Sequence, residues 1–128
     1  MVINTNNSDV ISGYALKVYK SDTKKMHQLL STKPDRLVVI HNHPQSMPPS
    51  ASNINAAAKN KYKRSVIVGH NGRVFIYEAH DGFEKILPHE NIFIIEKHKK
   101  LESHKFVAQY EALKSLSESY HFSIKEVL

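Results

Sequence analysis

An α/β fold of the α+β kind, a mixed sheet flanked by helices, is predicted by three features of the chain. Leu37-Val38-Val39-Ile40 is a short, wholly apolar run, as expected of a strand covered on both faces. The apolar stretches 65–69 and 73–79 are joined by His70-Asn71-Gly72, and Asn-Gly is a strong hairpin signal. From about Asn91 to Ser119 the pattern turns helical. There Leu101, Phe106, Tyr110, Leu113 and Leu116 recur as one helix face would.

The elements follow in order. Residues 1–8 are mostly polar and read as disordered. In residues 10–20, Tyr14, Leu16 and Val18 alternate, which predicts a strand with one buried face. Ser21 or Asp22 caps a short helix to about Ser31, with Met26, Leu29 and Leu30 facing inward. Pro34 stands where a helix cannot continue. The next strand, from Leu37, ends at His41. A loop stiffened by Pro44, Pro48 and Pro49 leads to Ser50 or Ser52, which caps a helix through Ala56, Ala57 and Ala58 to about Lys61. After the hairpin, Asp81-Gly82 forms a turn and residues 83–87 a third strand. Pro88 marks a break, residues 91–119 form the long C-terminal helix, and Phe122, Ile124 and Val127 a final short strand. With 128 residues, no internal repeat and no low-complexity linker, residues 1–128 are expected to form a single domain.

Composition narrows the functional classes. The absence of cysteine excludes a disulfide scaffold, thiolate zinc sites and cysteine nucleophiles. No cationic, apolar leader opens the chain and no run approaches the roughly 18 apolar residues of a membrane helix, so a cytoplasmic protein with no membrane partner is expected. The net charge of +6, from 18 Lys and Arg against 12 Asp and Glu, admits a nucleic-acid or other acidic partner, and a protein or peptide partner is also possible. Lys59, Lys61, Lys63 and Arg64 form one basic group, and Lys97, Lys99, Lys100 and Lys105 another. Both read first as solvated helix faces. Tyr62 can stack on a base or pack on the sheet.

The chemistry gathers at one strand end. His41 and His43 are two apart, so in extended backbone both imidazoles point the same way and can converge on one ion. Pro44 keeps His43 extended. Ser50 opens a helix beside them, adding backbone N–H donors. His70, His80, His89, His98, His104 and His121 read as exposed turn or helix residues.

The segment His41-Asn42-His43-Pro44 followed by Pro49-Ser50 and Asn53 resembles the JAMM or MPN+ (JAB) metalloprotease superfamily, which includes deubiquitinating isopeptidases and the bacterial RadC-like proteins. The family pattern is His-x-His, seven residues, Ser, two residues, Asp. The resemblance covers residues 36–79, and the long C-terminal helix is similar to JAMM-like domains of phage and mobile-element proteins. It implies a JAMM/cytidine-deaminase-like mixed sheet and zinc as cofactor. His41, His43 and the residue at position 53 would be metal ligands, and Ser50 the catalytic oxyanion stabiliser. A zinc-bound water would attack a peptide or isopeptide carbonyl, with an upstream glutamate as general base.

Three departures from the pattern are visible. Six residues separate His43 from Ser50 instead of seven, Asn53 replaces the acid, and no glutamate precedes Glu78. The strand expected beside the histidines, residues 10–20, holds no carboxylate. Asp35 lies about 20 Å from His41 along the strand. Asp9 and Asp22 flank the candidate strand without a position assigned. The leading expectation is a JAMM-like zinc metallohydrolase-fold domain, impaired or inactive as written. The alternatives are a non-catalytic MPN-type binding scaffold and a basic nucleic-acid-binding or nuclease-like phage or toxin domain.

Overall fold

The computed structural model describes residues 2–4, 9–11, 37–43, 45–100 and 104–127. Strands β1 (Val2–Asn4), β2 (Asp9–Ile11), β3 (Leu37–His43), β4 (Arg64–Gly69), β5 (Val74–Ala79) and β6 (Phe122–Val127) form one mixed sheet in the order β2-β1-β3-β4-β5-β6. Among the described strands only β3 and β4 pair in parallel, and α1 (Ala51–Lys59) makes the crossover between them. Helices α2 (Pro88–Lys99) and α3 (Lys105–Tyr120) connect β5 to β6. The molecule is a mixed α/β protein of the α+β kind.

Side-chain parity decides which face each strand residue joins. Ser65 and Ile67 of β4 pair with Tyr77 and Phe75 of β5, and Tyr77 pairs with Ile124 of β6. These residues are buried and face α1 and α3. Ile54 and Ala57 of α1 and Leu113 of α3 complete the core, with Ile86 between the helices. Each fully buried Ile or Leu contributes about 1.5–3 kcal/mol of hydrophobic stabilisation. Ser65 is the one buried polar residue of the described core, and it lies directly across from Tyr77. Burial pushes the Tyr77 hydroxyl up to about 12, moderated by its hydrogen bond to Ser65.

Several expectations are corrected. The first eight residues are not wholly unstructured, because Val2–Asn4 pairs antiparallel with the apolar run of β3. Strand β3 does not end at His41. It continues to His43, because β4 supplies parallel partners through Gly69. Residues 83–87 form no strand. The free edge of β5 is taken by β6, and the segment is instead fixed by the Asn55 side chain, which imitates a strand partner. Asn55 Nδ2 donates to the Ile86 carbonyl and its Oδ1 accepts from the Ile86 N–H, both at 2.9 Å.

The single helix over 91–119 is two helices. Pro88 starts α2 instead of merely breaking the chain, since its fixed φ suits the first helical position. His104 caps α3 through its ring nitrogen, which accepts from the Phe106 N–H at 3.1 Å. The hairpin between β4 and β5 forms as expected. Gly72 alone takes positive φ, so the turn spans His70 to Gly72 and closes on Gly69 and Arg73. The predicted helix over residues 21–31, and residues 12–20 of the predicted first strand, lie outside the described residues. No described helix is long and apolar enough to cross a membrane.

Candidate functional site at the end of β3

His41 and His43 sit side by side on the helix-covered face of β3, next to Ile67 and Gly69 of β4. Their ring centroids are 5.1 Å apart and the rings are tilted by 54°. Both are half-buried. Burial lowers the His41 pKa to about 4, with the charge of His43 as the second cause, so His41 is neutral near pH 7. The Nδ1 of His43 lies 2.8 Å from the Met47 carbonyl. A carbonyl only accepts, so Nδ1 carries a proton and Nε2 is the ring nitrogen turned to other partners. A neutral imidazole, and one oriented by a backbone carbonyl, are the forms in which histidine binds metal.

The loop after β3 is fastened from three sides. The Ser46 N–H donates to the His43 carbonyl at 2.9 Å, and Ser46 adopts φ 55°. Its hydroxyl accepts from the Asn71 N–H at 3.0 Å, tying the loop to the hairpin. Gly69 permits that approach: a Cβ there would lie 2.7 Å from Asn71 Oδ1 and 3.2 Å from Ser46 Cα. Pro48 and Pro49 are fully buried, and Gln109 of α3 donates to both their carbonyls at 3.0 Å.

Ser50 caps α1, and Asn53 closes a reciprocal capping box. The Asn53 N–H donates to Ser50 Oγ at 3.2 Å. The Ser50 N–H and Oγ–H both donate to Asn53 Oδ1, at 2.8 and 2.9 Å. An amide oxygen has two lone pairs, and both are taken. In this arrangement Asn53 serves the helix terminus, and the Ser50 proton is directed at Asn53.

Residues 12–20 of the strand expected beside the histidines lie outside the described residues. Among the described residues β1 lines the edge of β3 away from β4, and its pairing with β3 stops at Val39. Asp9 pairs with Asn4, which pairs with Leu37. That places it one strand beyond β1 and four residues short of His41, about 13 Å along the strand direction. Asp22 and Asp35 lie outside the described residues. Among the described residues no three His, Cys, Asp or Glu side chains gather as a metal-binding group. Among the described residues, the two histidines could supply at most two positions of a zinc site. They do not fit the three protein ligands that catalytic zinc normally has.

The other histidines stay apart. His70, His80, His89, His104 and His121 are exposed, and His98 is half-buried. His70 Nε2 accepts from Asn42 Nδ2 at 3.2 Å. The lysine groups are exposed, whereas Tyr62 packs against the core. Sequence reading missed Gln109 and Met47. Gln109 is 60 residues away from Pro49 in the chain, and Met47 acts through a backbone carbonyl. Only the capping spacing of Ser50 and Asn53 carried a local signal.

Fold and site together define a mixed α/β protein with a two-histidine pair at a strand end. Comparison with protein-family models, with curated proteins and with solved structures returns no match.

Proposed function

We propose that the chain is a JAMM-like, MPN-type domain that acts as a non-hydrolytic binding module, with His41 and His43 forming a weak divalent-metal half-site. The resemblance of residues 36–79 to the family motif supports the lineage, as do the strand–loop–helix order around it and the mixed sheet. One observation carries the loss of hydrolysis: Asn53 Oδ1, at the position of the acidic ligand, is saturated by the two Ser50 donors. Where the family would use a carboxylate on zinc and a free serine hydroxyl on the oxyanion, this chain joins the two side chains to each other.

Calorimetric titration of the full chain with zinc tests the reading. Weak binding is expected in the wild type, none in the His41→Ala/His43→Ala double variant, and tighter binding in Asn53→Asp, which restores a carboxylate. Tight zinc retained by the double variant removes the half-site. Cleavage of a peptide or isopeptide substrate by zinc-loaded wild type, abolished in the double variant, overturns the non-hydrolytic assignment.

A further inference from the structure

A groove runs along the exposed flank of α1. Two confluent hollows of about 530 and 360 Å³ share Ser52, Asn55 and Lys85. Each is within the size range of ligand sites. One wall is α1. The other is the irregular segment 83–87, held to α1 by the paired Asn55–Ile86 hydrogen bonds. One end opens beside Ser50 and Ile92 of α2. The other reaches Ala58, Lys59 and Phe83.

Two properties define what fits. The apolar lining is aliphatic and small, mainly Ala56, Ala58 and Ile92, and Ile92 is 61% exposed. Phe83, the one aromatic residue lining it, is half-buried and packs edge-on to Phe122, which makes it a poor platform for a stacked base. The charged lining residues are Lys59 and Lys85, with no carboxylate among them. Neither lysine has an ion-pair partner among the described residues.

We propose that this groove docks an extended acidic peptide segment of a partner protein. Aliphatic side chains of the peptide lie against Ile92 at one end and against Ala56 and Ala58 at the other, and its carboxylates face Lys59 and Lys85. The proposal rests on the binding-module reading and is independent of the histidine pair.

The test uses the full ¹⁵N-labelled chain and three probes: a leucine-centred polyglutamate peptide, its polylysine counterpart, and a short single-stranded oligonucleotide. The acidic peptide is expected to move the amide signals of Ser52, Asn55, Lys59 and Lys85, and the lysine peptide none of them. Lys59→Glu/Lys85→Glu should weaken that binding roughly tenfold or more. Ala56→Glu, at an exposed helix position, should do so independently. Shifts that fall elsewhere, fail to appear, or persist unchanged in both variants overturn the proposal. Stronger groove shifts with the oligonucleotide overturn the peptide assignment. Zinc added to the same samples separates the two readings. Lost zinc response with peptide binding intact removes only the half-site, and the reverse removes only the groove.

Discussion

The β3–α1 junction and helix α2 are built in opposite ways. At the junction several groups have a named partner: Met47 holds His43, Asn71 holds Ser46, Gln109 holds Pro48 and Pro49, and Ser50 and Asn53 hold each other. Helix α2 has no buried residue. It leaves Ile92 and Phe93 exposed and packs mainly on α3. At its first turn the Tyr120 hydroxyl donates to Glu90, and that carboxylate raises the tyrosine pKa. The junction places its atoms for a site, whereas α2 presents a surface. A site needs positions fixed by several independent bonds, and a surface needs only exposure.

The comparison can be broken by substitutions on either side. The largest effect is expected in the core under the junction. Ile67→Ala removes a fully buried side chain beside His41 and should cost about 2–5 kcal/mol in denaturant unfolding. A cost below about 1 kcal/mol would mean that the sheet is not packed as described.

Gln109→Ala comes next. It orphans two carbonyls of a buried loop, and about 1–3 kcal/mol is expected. The readout that marks its positioning role is a change in the His43 ring signals, since Met47 lies in the same loop. Unmoved His43 signals would detach α3 from the site. Ser50→Ala should cost about 1 kcal/mol by removing the cap, with α1 amides exchanging faster.

His41 supplies a pH-dependent effect. In metal-free protein its ring should titrate near 4 instead of 6.5, followed by NMR. Because the folded pKa is the lower one, the unfolded chain takes up the proton first as pH falls. The associated stability is present above about 6.5 and is lost as pH falls toward 4. An ordinary midpoint near 6.5 would show that His41 is not desolvated. The smallest effect belongs to α2: Phe93→Ala, at a residue 68% exposed, should change stability by no more than about 0.5 kcal/mol. A larger loss would show that Phe93 is packed, and would erase the contrast with the junction.

Much of this was legible in the chain, for reasons that differ from residue to residue. The apolar runs of β3 and β4, the Asn71-Gly72 turn, the Ser50 cap and the pairing of His41 with His43 are local. Each depends on side-chain type and a spacing of a few residues, so the sequence by itself determined them and the α/β class. The tertiary structure decided what depends on distant partners. Strand β3 runs on through His43 because β4 lies beside it. Residues 83–87 stay irregular because β6 occupies the edge of β5 and Asn55 satisfies Ile86. β1 flanks β3, because strand neighbours are set by sheet topology. Asn53 could be read from sequence as a ligand position or a helix-terminal residue. Only the fold directs its oxygen to Ser50, because hydrogen-bond direction follows from backbone geometry that spacing alone does not specify.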